Sequence, residues 1–122
     1  MKNNIFLIDI DGTICDDINN EDFLLFPYAS PYHNSQNTIN KWYDEGNTIV
    51  FFTARTDEHR KVTEEWLKKH NFKYHSLIMN KPRCKPDQEY IWIDNRKVRG
   101  ITFNGKWSKL VNVLKNILVF DN

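Results

Sequence analysis

Residues 5–13 of the chain, IFLIDIDGT, join a continuous apolar run to a short polar turn. An uninterrupted apolar run of four residues is typical of a strand that is buried on both faces of a parallel sheet. Because side chains alternate along an extended chain, Asp9 and Asp11 are expected on one side, with Ile10 turned into the core. The stretch therefore predicts a buried first strand that ends in two neighbouring carboxylates.

The rest of the chain alternates between helical and strand patterns. Short runs rich in β-branched or aromatic residues predict further strands at Thr48–Thr53, Ser76–Met79, Tyr90–Ile93 and, more weakly, Ile101–Phe103. Apolar residues at helical spacing predict helices from an N-cap at Ser35 to Gly46, from Thr56 to about residue 69, and from Trp107 to Leu118. The order β-α-β-α-β-β-β-α predicts an α/β fold: a three-layer, Rossmann-like, mostly parallel sheet with helices on both faces and no large cap domain.

Length and composition narrow the class of protein. A chain of 122 residues, 40% hydrophobic and 27% charged, is expected to form a single domain over residues 1–122. The formal net charge of +1 argues against broad nucleic-acid binding, and no apolar run approaches the length of a membrane span. Two cysteines without metal-ligand spacing favour reduced thiols and a cytoplasmic location.

Polar residues stand directly after each of the four main predicted strands, where ligands bind in open α/β sheets. They are Asp9 and Asp11, then Thr53 to Arg55, then Lys81, and finally Asp94. Three acids at one sheet edge would repel one another unless a cation offsets their charge. Oxygen ligands with retained water suit Mg²⁺, so we predict a magnesium site formed by Asp9, Asp11 and Asp94.

The remaining groups at this edge suit a phosphate ester. Lys81, Arg55 and the amides that follow Thr53 supply positive charge and donors for an anion. Asp9 could act as a nucleophile that forms an aspartyl phosphate, and Asp11 as the general acid and base. We therefore predict a phosphoryl-transfer enzyme.

At these residues the sequence resembles the haloacid dehalogenase (HAD) superfamily of phosphatases. The resemblance covers Ile5 to about Arg99 and rests on D-x-D-G-T at 9–13, then Thr53, Lys81 and Asp94 in order. It implies that Asp9 is the nucleophile and a magnesium ligand, and that Asp11 is the general acid and base with its carbonyl on the metal. It further implies that Asp94 anchors the metal, Thr53 binds the phosphoryl group, and Lys81 holds that group and Asp9 together. Gly12, Ala54 and Arg55 are further predicted substrate contacts.

The sequence departs from the family pattern at three points. Asn95 follows Asp94 where the family usually carries a second acid, which puts the strength of the metal shell in doubt. The stretch after Lys81 is short, so Lys85, also followed by proline, remains an alternative to Lys81, which we prefer because it follows a strand directly. The chain also lacks room for a large cap, and it resembles the small phosphatases associated with capsule or surface-polysaccharide genes.

We therefore predict a Mg²⁺-dependent phosphomonoesterase that acts on a small phosphorylated metabolite, such as a sugar phosphate of surface-polysaccharide biosynthesis. No membrane partner is expected, and a homo-oligomer is one way to exclude water from an uncapped site. Three alternatives remain: a nucleic-acid 3′-phosphatase, a non-catalytic phosphoacceptor, and a metal-binding module with weak or no activity. For Arg55, an exposed salt-bridging role is as consistent with the sequence as a substrate contact.

Overall fold

The structure, a computed structural model, describes residues 3–110. Three parallel strands form one sheet in sequence order: β1 (Ile5–Ile8), β2 (Thr48–Phe52) and β3 (Ser76–Ile78). Helix α1 (Ser35–Asp44) connects β1 to β2, and helix α2 (Arg60–Lys69) connects β2 to β3. Three 3₁₀ helices lie at Asn20–Tyr28, Asp57–His59 and Trp107–Lys109. The architecture confirms the predicted α/β, Rossmann-like fold without a large cap.

Strand β2 lies at the centre of the sheet. It pairs with β1 in a register that places Ile5 opposite Thr48, and with β3 in a register that places Val50 opposite Ser76. Its three middle residues, 49–51, are buried. This burial matches the continuous apolar run, because the crossover helices of a parallel sheet cover the faces of its central strand, which then needs no polar face.

The two helices begin and end close to the predicted positions. Helix α1 begins at Ser35, so Asn34, in a left-handed conformation with a φ of 66°, is the N-cap, and the N-cap prediction at Ser35 is wrong by one residue. The Ser35 hydroxyl instead donates to the carbonyl oxygens of Ile14 and Tyr32 at 3.1 and 2.8 Å. Gly46 has a φ of +97° and lies just past the C-terminus of α1, as its position in the sequence predicts.

The turn that follows β1 is packed against the hydrophobic core. Ile10, between the two predicted catalytic acids, is completely buried, which confirms that it turns inward. Trp42 of α1 stacks on Phe6 of β1 with ring centroids 4.4 Å apart. The indole of Trp107 donates to the carbonyl of Thr13 at 2.8 Å and so fixes the same turn from the other side.

Three predicted elements differ from the structure or lie beyond it. Tyr90–Ile93 and Ile101–Phe103 are not strands: both segments run as irregular chain, and residues 90–93 are exposed. Their composition favours a strand, but a strand also requires a neighbour with which to pair, and local sequence does not supply one. The helix predicted at Trp107–Leu118 begins as a 3₁₀ turn, Trp107–Lys109, and beyond residue 110 it lies outside the described residues.

Among the described residues, none of the helices is both long enough and apolar enough to cross a membrane.

Burial at Ile10 gives a stability test with a matched control. We expect Ile10→Ala to lower the free energy of unfolding by about 2–5 kcal/mol, because it removes a fully buried side chain. Ile5→Ala makes the same change at a largely exposed position of β1 and should cost less than about 1 kcal/mol. Urea unfolding of both variants measures the difference. Equal losses would contradict the inward orientation of Ile10.

Candidate active site

The carboxyl ends of the three strands meet at one edge of the sheet. The amide of Thr53 donates to the Ile78 carbonyl at 3.0 Å, and the amide of Lys81 donates to the Thr53 carbonyl at 2.9 Å. The amide of Asn80, in a left-handed conformation with a φ of 64°, donates to the Arg55 carbonyl at 2.8 Å. These bonds extend the β2–β3 pairing past the strands, and so hold Lys81 and the 53–55 turn together.

Asp9 lies between a cation and a hydroxyl at the end of β1. One carboxylate oxygen is 2.9 Å from the Nζ atom of Lys81, and the other accepts a hydrogen bond from the Thr13 hydroxyl at 3.2 Å. The Asp9 side chain is 37% exposed, so solvent or a ligand can reach it. Lys81 is therefore the lysine that the structure brings to Asp9, whereas Lys85 is exposed.

Asp11 has a different environment, because its carboxylate is paired with a buried arginine. The Nε and Nη2 atoms of Arg55 donate to the two carboxylate oxygens of Asp11 at 2.9 and 2.7 Å. The Arg55 side chain is 0% exposed and that of Asp11 is 15% exposed. The geometry is a planar, two-point ion pair that joins the turn after β1 to the end of β2.

Asp11 also has a shifted pKa. Burial raises the pKa of the Asp11 carboxyl above its ordinary value, while the hydrogen bonds and charge of Arg55 oppose the shift. The negative charges of Asp9 and Asp17 add to the rise in pKa. A carboxyl group with a raised pKa is better able to hold a proton near neutral pH, which suits a general acid.

The turn between these acids and helix α1 has a fixed shape. Gly12 has a φ of +77°, and a Cβ atom there would lie 3.2 Å from the Asp17 carboxyl carbon. Its amide donates to the Cys15 carbonyl at 3.0 Å, so it is engaged within the turn. An open cavity of about 300 Å³ lies beside Gly12, and its other lining residues are Tyr32, Phe103, Asn104 and Gly105.

The three site residues predicted after β2, 53–55, differ in whether they can contact a substrate. Thr53 is buried, and its hydroxyl oxygen accepts a hydrogen bond from the Arg55 amide at 3.1 Å. The hydroxyl proton is therefore available for donation to a phosphoryl oxygen. The carbonyl of Ala54 accepts from the side chain of Asn20 at 3.1 Å. Arg55 is neither an exposed surface residue nor placed to contact substrate, because its guanidinium is buried and bonded to protein groups.

The three predicted metal ligands are not gathered into one cluster in the part of the chain that the structure describes. Within residues 3–110, no group of three His, Cys, Asp or Glu side chains gathers to hold a metal ion. Asp94 lies on an exposed segment, where the Trp92 indole and the Arg96 amide donate to its carboxylate at 3.2 and 3.0 Å. These bonds, that from Trp92 foremost, lower the pKa of Asp94. As the described residues are arranged, the three acids do not jointly fit a magnesium ion.

Two residues that sequence reasoning missed complete the surroundings of Arg55. The Thr63 hydroxyl of α2 accepts a hydrogen bond from its Nη1 atom at 3.0 Å. The Phe26 ring, in the 3₁₀ helix Asn20–Tyr28, lies 3.7 Å from the guanidinium carbon. The spacing of Thr63 on the buried face of α2 is a signal that could have found it, whereas Phe26 lies in a segment without a regular period.

Comparisons with known proteins identify a family and a similar solved structure. The sequence matches the family described as "PITM 1-3, LNS2 domain" over residues 6–98, a span that contains every predicted site residue. The structure is similar to the crystal structure of an MCSG target from Vibrio cholerae, with a TM-score of 0.57 and 24% sequence identity. The similarity covers 79% of this chain and 83% of that chain and supports the fold. No curated protein matches the chain.

The buried ion pair makes a prediction about stability. We expect Arg55→Met to lower the free energy of unfolding by about 3–5 kcal/mol, because it leaves the Asp11 carboxylate largely buried without its partner. The double variant Asp11→Asn/Arg55→Met should be more stable than Arg55→Met alone, since it removes the uncompensated charge. Urea unfolding of the two variants and the parent compares these values. A double variant no more stable than Arg55→Met would contradict the pairing.

Proposed function

Because the chain belongs to the family of the PITM 1-3 LNS2 domain, which has a HAD-like phosphatase fold, we propose that it is a phosphomonoesterase that acts through Asp9. The observation that carries the proposal is the pair of carboxylates at the end of β1. Asp9 is accessible and lies against Lys81, whereas Asp11 is largely buried and paired with Arg55. Two neighbouring carboxylates in such different environments are suited to two different roles.

In the proposed first step, an Asp9 carboxylate oxygen attacks the phosphorus atom of the ester. The bond between phosphorus and the ester oxygen breaks, and Asp11 donates a proton to the departing alcohol. In the second step, Asp11 takes a proton from a water molecule that attacks the same phosphorus atom. The bond between Asp9 and phosphorus then breaks, and inorganic phosphate leaves.

Lys81 and Thr53 are proposed to bind the transferring phosphoryl group. Lys81 is held at the β3 end by its backbone bond to Thr53, and its Nζ atom already lies beside the Asp9 carboxylate. A fixed positive charge there offsets the charge of the phosphoryl oxygens during transfer. The Thr53 hydroxyl adds a donor from the end of β2.

We propose a small phosphorylated metabolite as the substrate. The cavity of about 300 Å³ that borders Gly12, in the turn after the two acids, has the volume of a small-molecule site and is proposed to receive part of the substrate. The formal net charge of +1 gives little attraction for a nucleic-acid polymer. A sugar phosphate of surface-polysaccharide biosynthesis remains our specific candidate on the resemblance, and a panel of phosphorylated sugars, nucleotides and lipid headgroups tests it.

Magnesium dependence is a further part of the proposal, and it requires Asp94 to approach Asp9. The mechanism above uses no metal, because the described acids do not form a metal site.

Two observations favour an approach of Asp94 to Asp9. Strand β1 is an edge strand among the described residues, with Ile5 and Leu7 exposed, and the Tyr90 ring lies 5.3 Å from the Nζ atom of Lys81.

We propose that residues 90–93 pair along the open edge of β1. Pairing would cover the exposed apolar side chains of both segments and satisfy the unpaired backbone groups of the edge. It would also place Asp94 after a strand that neighbours β1, close to Asp9. Asp94 would then complete the proposed metal site.

The separation of Asp94 from Asp9 also favours a second candidate function. A non-catalytic phosphoacceptor or metal-binding module would need the end of β1 and Lys81 but no complete hydrolytic site. Such a module would bind or retain a phosphoryl group without releasing phosphate. Absence of hydrolysis across the ester panel, with and without Mg²⁺, would identify it.

The nucleophile is tested with Asp9→Asn. We expect hydrolysis of 4-nitrophenyl phosphate in the presence of Mg²⁺ to fall below detection, because an amide cannot form the acyl phosphate. Asp44→Asn, an equivalent change at an exposed ion pair on α1, should retain activity. Circular dichroism of both variants checks that the fold is intact. Parental activity in a folded Asp9→Asn protein would rule out the mechanism.

Asp94 is tested by the magnesium requirement of hydrolysis. We expect Asp94→Asn to raise the Mg²⁺ concentration needed for half-maximal activity by about tenfold or more, because the site loses a charged ligand. Asp87→Asn, on the same exposed segment, serves as the matched control. An unchanged magnesium requirement in Asp94→Asn would show that Asp94 stays apart from Asp9 during turnover.

A further inference from the structure

The buried guanidinium of Arg55 contacts the turn after β1, helix α2 and the first 3₁₀ helix. Two of its nitrogen atoms bond to Asp11, and the third bonds to the hydroxyl of Thr63. Phe26 covers one face of the guanidinium group at 3.7 Å. The backbone of the same residue is bonded to Thr53 and Asn80.

These contacts leave the Asp11 carboxylate little freedom to rotate. A guanidinium that donates to both oxygens fixes the plane of the carboxylate as well as its distance. Thr63 and Phe26 in turn fix the guanidinium group. Without these two contacts, the guanidinium and the Asp11 carboxylate could rotate together. The orientation of Asp11 is therefore set by side chains that lie on two other elements of the fold.

We propose that Arg55 is a positioning residue for proton transfer: it holds the Asp11 carboxyl group in the orientation from which Asp11 protonates the departing alcohol. The inference rests on the proposed function and adds a role for a residue that does not itself touch the substrate. It replaces the sequence-based prediction that Arg55 contacts substrate.

A purely structural role explains the arrangement less well. Burying a charged pair gives little net stability, because the cost of removing both ions from water offsets most of their attraction. An apolar pair of similar volume would hold β1 and β2 together as firmly. What the ion pair supplies in addition is the orientation of one carboxylate, and that carboxylate is the proposed acid.

The substitution Arg55→Lys distinguishes the effect of the positive charge on Asp11 from the effect of orienting its carboxyl group. The lysine ammonium group keeps the positive charge but cannot bond to both Asp11 oxygens in a plane while also reaching Thr63. Proton donation matters most for a poor leaving group such as an alkyl alcohol and least for 4-nitrophenolate, which departs without a proton. A defect in positioning therefore depends on the leaving group, whereas a general loss of structure does not.

The test compares kcat/KM of Arg55→Lys for an alkyl phosphate and for 4-nitrophenyl phosphate, because kcat/KM reports the step in which the leaving group departs. We expect a loss of about 10- to 100-fold for the alkyl ester, which does not exceed the lower limit of what general acid catalysis supplies because Asp11 itself is retained, and less than about threefold for the aryl ester. Asp11→Asn should show the same selectivity in stronger form. Arg60→Lys, whose arginine bonds to Glu64 and the Leu77 carbonyl, is the matched control and should affect neither ester.

Equal losses for the two esters in a folded Arg55→Lys protein would overturn the positioning role. If Arg55→Lys does not fold, Thr63→Val provides the second variant, since it removes only the third partner of the guanidinium and should show a weaker loss with the same selectivity. Equal effects of Thr63→Val on both esters would also overturn the role. Failure of the proposed function is distinct, because the parental protein would then hydrolyse neither ester.

Discussion

The ion pair between Asp11 and Arg55 is the interaction on which the geometry of the site depends. It joins the turn after β1 to the end of β2, two places that are 44 residues apart in sequence. Parallel pairing of the strands brings these ends to one edge of the sheet, and the guanidinium then fixes the carboxylate there. Because Arg55 is fully buried, its contacts with Thr63 and Phe26 connect this edge to α2 and to the first 3₁₀ helix.

The two carboxylates at the end of β1 illustrate how one short motif yields two chemical environments. Asp9 remains accessible beside Lys81, as the proposed role of nucleophile requires. Asp11, two residues later, is largely buried, and its pKa is raised by that burial. The intervening Ile10 is completely buried and anchors the turn, so the difference between the two environments depends on packing as well as on charge.

Much of the site could be predicted because its residues follow recognisable strands. The apolar runs at β1, β2 and β3 are continuous, and polar residues that end parallel strands must share one edge of the sheet. Lys81 was predicted on this ground, and the structure places it 2.9 Å from Asp9. For Arg55 the sequence leaves a salt bridge and a substrate contact open, and the structure shows a salt bridge that is buried rather than exposed, because burial depends on side chains from distant elements. Residues 90–93 have the composition of a strand, yet in the structure they are exposed and do not form part of a β-sheet.

Sequence alone determined the order of the elements from β1 to β3, the inward side chain at Ile10 and the set of groups at the ends of these strands. These follow from local periodicity and from the alternation of side chains along a strand, which need no knowledge of the rest of the chain. Tertiary structure decided which groups meet: it places Lys81 beside Asp9 and Arg55 beside Asp11, and within residues 3–110 it does not gather three acids around one metal position. The physical reason is that ion pairing and burial depend on distances between segments that are remote in sequence.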